Sequence, residues 1–143
     1  MVEGSISFTP EQHAAELVRT FFDRSRRDRY LRLLESGSKG RAKFRSALPH
    51  LRDLDERFVQ PIPTGSQTAD AILETLRELG APSTCYLLSE SANVDGRILG
   101  LEEALDCVVG MGMGAIISCV PGRLAYFEGE DPGDRAVLFR NAV

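Results

Sequence analysis

The sequence predicts an α+β fold in which an N-terminal helical segment packs on a small mixed β-sheet. Three observations indicate this class. Apolar residues recur at helical spacing up to residue 79, short apolar runs between glycine and proline dominate after residue 82, and a helical stripe separates the first two of those runs. The C-terminal elements therefore have the order β-α-β-β-β. A strand–helix–strand unit favours a crossover between parallel neighbours, and the tight turns that follow favour an antiparallel meander beside them.

The chain has the size of one domain, since 143 residues can bury roughly two thirds of their unfolded surface. We divide it into a basic helical part at residues 1–60 and an acidic α+β part at residues 66–143. No apolar run approaches the roughly 18 residues that a membrane span requires, and no apolar segment typical of a secretory signal begins the chain. These features predict a cytoplasmic protein without a membrane partner.

The first predicted helix begins at a capping box. Thr9 provides the N-cap hydroxyl, Pro10 stands in the first turn and Gln12 follows three residues after the cap. An apolar stripe continues to Phe21, and residues 23–29 are then all polar. Because two helical turns with nothing to bury are poorly stable in water, we expect two helices that meet within this polar segment.

Three further features connect the helical half to the sheet. A helical segment is predicted over residues 41–47, and Asp53 is then the expected N-cap of a short helix. Two prolines and a glycine make residues 60–66 extended and then a loop. The next helix follows from a complete apolar stripe and ends at Gly80. This stripe consists of Ala69, Ile72, Leu73, Leu76 and Leu79.

Four short apolar runs predict buried strands. They cover residues 84–89, 115–120, 124–127 and 136–139. A turn at residues 94–97 and a helical stripe from residue 101 to 109 lie between the first two runs. Pro121 and Gly122 occupy the central positions of a tight turn of type II, which requires a positive φ at the glycine.

Charge is distributed unevenly along the chain. Twelve of the seventeen basic residues lie between Arg19 and Arg57, where only six acids accompany them and the net charge is +6. Residues 58–143 have a net charge of −7, and the whole chain has −4. Such a partition attracts partners of opposite sign, or it makes the two halves attract each other.

The basic segment predicts a partner-binding surface. We expect a non-catalytic binding or regulatory module whose helical half meets an acidic protein partner, or which self-associates as a homodimer. Nucleic acid is the alternative partner, because phosphates favour basic clusters, but a sequence pI of about 5.2 is low for a nucleic-acid-binding domain. The candidate partner-binding residues are Arg24, Arg26, Arg27, Arg29, Lys39, Arg41, Lys43 and Arg45.

The few cysteines and histidines predict no catalytic centre, cofactor or metal. Three cysteines without a C-x-x-C pair are expected to be reduced and buried in the core. His13 is expected at the surface of the first helix. His50 precedes several acids with which a metal site could be drawn, but acids in the first turn of a helix interact favourably with its dipole, which explains them without a metal.

A small-ligand site, in a ligand-binding protein or an enzyme, is the other class of function that the sequence allows. Three alternate glycines at residues 110–114 can present backbone amides to an anion, although a helix C-cap and a tight turn with inward-facing methionines explain them equally. Acidic residues follow the first strand, and strand ends are favoured binding positions. The candidate ligand-binding residues are Glu90, Asp95, Gly112 and Gly114.

Overall fold

The computed structural model describes residues 8–141. Its helices are α1 (Pro10–Phe21), α2 (Arg27–Glu35), α3 (Gly37–Ala47), α4 (Ala69–Glu78) and α5 (Leu101–Val108). Its strands are β1 (Val59–Pro61), β2 (Thr84–Ser89), β3 (Ile98–Gly100), β4 (Ala115–Val120), β5 (Leu124–Glu128) and β6 (Arg135–Phe139). Single turns of 3-10 helix lie at Arg24–Arg26, Leu48–His50, Glu56–Phe58 and Thr64–Ser66.

The strands form one sheet in the order β1-β6-β5-β4-β2-β3, and all five pairings are antiparallel. The α+β class is confirmed, whereas the expectation of parallel strands within a mixed sheet is wrong. The reason is β3, which the sequence analysis did not predict. Pairing of β3 with β2 reverses the chain before α5 begins, so α5 and the loop after it return the chain to β4 antiparallel to β2.

Helices cover both faces of this sheet. Alternate residues of each central strand point to opposite faces, so Ile116 packs with the N-terminal helices and Ile117 packs with α4 and α5. Helices α1, α2 and α3 cover the first face, and α4 and α5 cover the second. The architecture is therefore three-layered, with a separate apolar core on each side of the sheet.

An aromatic cluster holds α2 and α3 against α1. The ring of Tyr30 on α2 lies 4.6 Å from that of Phe22 and 5.3 Å from that of Phe44 on α3. The α-helical conformation is interrupted between α1 and α2, within the predicted polar segment, which confirms two helices there. Asp53 is not an N-cap, because its carboxylate accepts the Tyr30 hydroxyl at 2.6 Å, and Asp55 caps the following turn instead.

The cysteines differ from the expectation at one position. Cys85 and Cys119 are buried, and Cys107 is exposed. All three are free thiols. Cys107 lies on α5 beside the buried stripe of Leu105 and Val108 but points away from it, so the expectation that it fills the core is wrong.

The turn between β4 and β5 has the predicted geometry. Gly122 has a φ of 70°, and the Arg123 amide donates to the Val120 carbonyl at 2.9 Å. A Cβ at residue 122 would lie 2.9 Å from the Thr20 hydroxyl oxygen of α1, so both φ and space favour glycine.

We expect Gly122→Ala to lower the free energy of unfolding by about 1 kcal/mol or more, because alanine at this φ is strained. Urea unfolding followed by circular dichroism measures this loss. Gly133→Ala is the matched control, since a Cβ there meets nothing within 4 Å. Equal midpoints for the two variants would contradict the prediction.

Candidate functional site

Arg41 of α3 joins the helical half of the chain to the acidic half. Its Nε and Nη2 each donate to a carboxylate oxygen of Asp95 at 3.0 Å, and Nη2 also donates to the Tyr86 hydroxyl at 2.6 Å. Asp95 lies in the loop after β2 and also accepts the Ser89 amide at 2.9 Å. Partial burial disfavours the charged guanidinium, but the hydrogen bonds to Asp95 and Tyr86 outweigh it, and the pKa of Arg41 rises above its ordinary value.

A groove of about 540 Å³ lies between α1 and α2, beside this Arg41 cluster. The side of Tyr86 forms part of its lining, and small or aliphatic side chains form its walls. The apolar wall residues are Pro10, Ala14, Ala15, Leu31 and Leu34. Four charged residues also line it, namely Glu11, Arg19, Glu35 and Arg41. Arg19 is paired with Glu16 at 2.8 Å, while Glu11 and Glu35 make no ion pair with residues 8–141.

His13 is buried against Tyr86, so the expectation of a surface or rim histidine is wrong. Its Nδ1 lies 2.7 Å from the Ser118 hydroxyl, and its ring stacks on Tyr86 with 5.5 Å between centroids. Burial lowers the pKa of His13 to about 4, so the imidazole is neutral at pH 7. Ser118 is only 1% exposed and is not part of the groove lining. The pair anchors α1 on β4.

The glycine loop at residues 110–114 does bind an anion, and the anion is the chain's own Glu128. The amides of Gly110 and Gly112 donate to the two carboxylate oxygens of Glu128 at 3.2 and 3.3 Å. The Tyr126 hydroxyl donates to the same carboxylate at 2.8 Å, and Arg135 forms an ion pair with it at 3.5 Å. Glu128 is fully buried, so its contacts are needed to compensate the lost hydration. Sequence reasoning did not single out Glu128, whose one signal is an acid at the end of an apolar strand.

The other candidate ligand residues also have partners within the chain. Glu90 accepts the Gly114 amide at 2.9 Å, and its own amide donates to the Gly114 carbonyl at 3.0 Å. The backbone of Leu48 and Pro49 lies where a Cβ of residue 114 would stand. The structure therefore brings Glu90 and Gly114 together, while Asp95 lies with Arg41 and Gly112 with Glu128. The expected inward methionines are exposed, Met111 by 58% and Met113 by 39%.

The basic segment divides into residues that bind within the chain and residues that face solvent. Arg27 donates to the Phe22 carbonyl at 3.0 Å, Arg26 pairs with Asp53 at 3.7 Å, and Arg45 pairs with Asp95 at 3.8 Å. Arg41 donates hydrogen bonds to Asp95 and Tyr86. The remaining candidates are exposed and make no ion pair with residues 8–141. These are Arg24, Arg29, Lys39 and Lys43, and Arg32 shares their environment.

His50 contacts a different acid from those near it in sequence. Its Nε2 lies 3.3 Å from the Glu130 carboxylate, and both side chains are exposed. Over residues 8–141 no group of three or more histidine, cysteine, aspartate or glutamate side chains is placed to hold a metal ion. In the same range no helix is long and apolar enough to cross a membrane.

Comparison of the chain with protein-family models, with curated proteins and with solved structures finds no match. The arrangement of side chains is therefore the sole basis on which a function can be proposed.

Burial of His13 makes stability depend on pH. An unfolded chain protonates this imidazole below its ordinary pKa of 6.5, whereas the folded protein keeps it neutral down to about 4. The stabilisation is therefore complete above pH 6.5 and is lost as the pH falls towards 4. We expect His13 to lower the free energy of unfolding by about 2 kcal/mol between pH 7 and pH 5.

Urea unfolding at both pH values measures this component. His13→Gln is the control, because glutamine does not titrate and its stability should fall less over the same interval. If the wild-type protein and the variant lose the same free energy, the prediction is contradicted.

Proposed function

We propose that the protein is a non-catalytic binding module of the cytoplasm that contacts an acidic protein partner through the outer side of α2 and α3. One observation carries the proposal: five basic side chains on these helices, or in the turn before α2, are exposed without an ion pair to any described residue. We call them the basic face. They are Arg24, Arg29, Arg32, Lys39 and Lys43.

Packing directs these side chains away from the core. Tyr30 and Phe44 turn the apolar sides of α2 and α3 towards each other and towards the sheet. Arg29 and Arg32 are three residues apart on α2, and Lys39 and Lys43 are four apart on α3. Residues at these spacings share a side of a helix, so each helix presents two neighbouring cations to solvent.

The distribution of acids supports a protein partner over a nucleic acid. Asp28 and Glu35 are exposed on α2 among the cations, and the chain as a whole has a net charge of −4. A phosphate backbone bound to the basic face would lie close to these carboxylates and be repelled by them. A folded acidic protein can instead place its carboxylates beside the cations and away from Asp28 and Glu35. A second copy of this chain is one such partner, since its residues 58–143 have a net charge of −7.

Binding of poly-L-glutamate at low salt tests the basic face. We expect Lys39→Gln with Lys43→Gln to weaken that binding by about threefold to tenfold, because an exposed charge pair contributes about 0 to 1 kcal/mol. Arg123→Gln with Arg140→Gln is the matched control, since both are exposed cations outside α2 and α3 that make no ion pair with a described residue. Fluorescence anisotropy of labelled polyglutamate, repeated at rising salt, measures both effects.

Three outcomes contradict this proposal. Polyglutamate fails to bind at low salt, the Arg123 and Arg140 control weakens binding as much as the Lys39 and Lys43 variant, or a DNA duplex binds more tightly than polyglutamate. The last result would favour the nucleic-acid alternative.

A second candidate function is the binding of a small molecule in the groove between α1 and α2. The apolar walls can receive an apolar body, and the carboxylates of Glu11 and Glu35 at the edge have no cation among the described residues. The two arginines of the groove are already bound to Glu16 and Asp95. We therefore propose a ligand with an apolar body and a cationic end.

Phenethylamine and 3-phenylpropionate share an aromatic body and differ in the sign of their charge. We expect the amine to shift NMR signals of groove residues at lower concentration than the acid does. Glu11→Gln with Glu35→Gln should remove the preference, and Glu102→Gln, an exposed acid on α5, should leave it unchanged. Equal binding of amine and acid to the wild-type protein would show that charge does not select the ligand.

A further inference from the structure

Two buried thiols lie on neighbouring strands of the sheet. Tyr86 of β2 and Ser118 of β4 are the last pair of the β2–β4 ladder, and Cys85 and Cys119 are the next residues of the two strands beyond it. Each is 1% exposed, and both belong to the core on the side of α4 and α5. Neither has a role in the proposed binding surface or in the groove.

The hydrogen-bond pattern indicates which kind of pair the cysteines form. In an antiparallel ladder, hydrogen-bonded and non-hydrogen-bonded pairs alternate. The Glu90 amide donates to the Gly114 carbonyl directly opposite, so residues 90 and 114 form a hydrogen-bonded pair. Counting one position beyond the ladder places 85 and 119 at a non-hydrogen-bonded position, where Cα atoms are about 4.5 Å apart in regular strands. The register of β4 against β5 shifts between Ser118 and Val120, next to this position. Disulfides need Cα atoms about 4.4 to 6.8 Å apart, a range that includes the regular spacing.

A cavity of about 240 Å³ is lined by both cysteines and by residues that reach the surface. Among the latter, Phe8 is 36% exposed and Ile98 is 46% exposed. The cavity volume far exceeds that of one water molecule, about 30 Å³ in the liquid, so a molecule the size of hydrogen peroxide fits.

We propose that Cys85 and Cys119 form a redox-active dithiol, which a peroxide converts to a disulfide that links β2 to β4. One cysteine attacks a peroxide oxygen as its thiolate, an S–O bond forms as the O–O bond breaks, and the leaving oxygen departs as water after protonation. The second sulfur then attacks the sulfenic acid, the S–S bond forms, and the oxygen leaves as a second water. The two thiols lose two electrons and two hydrogens, and the peroxide is reduced to two waters.

The environment determines how fast this reaction runs. Burial raises the pKa of Cys85 to about 12 and also raises that of Cys119, so both are neutral thiols at pH 7. The thiolate is the reactive form, and oxidation is therefore slow at pH 7 and faster at higher pH. Cys107 is exposed on α5 and has no cysteine opposite it, which makes it the natural site to remove before the test.

The experiment uses the full chain with Cys107→Ser, treated with hydrogen peroxide under native conditions at pH 7 and pH 9. After alkylation in denaturant, intact-mass analysis counts the remaining thiols, and peptide mapping locates any link. We expect both thiols to be lost together with a mass decrease of two hydrogens, faster at pH 9, and dithiothreitol to restore them. Cys85→Ser and Cys119→Ser, each added to Cys107→Ser, are matched controls that cannot form the internal link.

Two results would overturn the proposal. In the first, both thiols remain alkylatable at pH 9 after prolonged exposure of the folded protein to an excess of peroxide. In the second, the link forms only in urea at concentrations that unfold the chain, which would show that the folded pair is inaccessible or misaligned. Neither result bears on the basic face, so this test is independent of the proposed function.

Discussion

Burial of the sheet on both faces is the constraint on which the rest of this structure depends. Every side chain from Cys85 to Ser89 is buried, and so is every side chain from Leu124 to Glu128. A sheet of this kind requires helices on each side, because apolar surface left in water costs about 25 cal/mol per Å². It also requires every polar group between the layers to find a partner. Glu128 has the glycine-loop amides, Tyr126 and Arg135, and Ser118 has His13.

The uneven charge of the sequence is partly neutralised within the fold. Arg41 and Arg45 of the basic half reach Asp95, and Arg52 reaches Asp134 at 3.4 Å. Of these, the Arg41 contact is the most substantial, since it is bidentate and the Asp95 side chain is only 10% exposed. The surface available to a partner is therefore smaller than the count of basic residues indicates. Its outward cations are Arg29 and Arg32 of α2, Lys39 and Lys43 of α3, and Arg24 in the turn before α2.

Much of the fold could be predicted from the sequence because the signals for it are local. The capping box at Thr9, the stripe of α4 and the turn at Gly122 each depend on a few neighbouring residues, and all are present. The direction of β4 could not be predicted, because it depends on β3. A strand of three residues, Ile98–Gly100, is too short to show alternation, and its pairing with β2 is a tertiary contact.

The candidate site was less predictable for the same reason. The glycines of the 110–114 loop indicate amides free to bind an anion, but only the folded chain shows that Glu128 reaches them. His13 has polar neighbours in sequence, and its burial follows from the strand beneath α1. Cys107 directly precedes the buried Val108, but its side chain lies on the exposed side of α5. In each case the sequence indicates the chemical capacity of a residue, and the tertiary contacts decide how that capacity is used.

The order of the layers also bears on how the protein is made. Helices α1 to α3 emerge from the ribosome first, yet the strands that cover their apolar side lie between residues 84 and 139. At a synthesis rate of about 5 to 20 residues per second, the nascent helices wait several seconds before β4 exists. During that interval Leu17, Phe21 and Phe44 have no sheet to pack against. The apolar sides of α1 to α3 are therefore exposed during translation until the strands that cover them have been made.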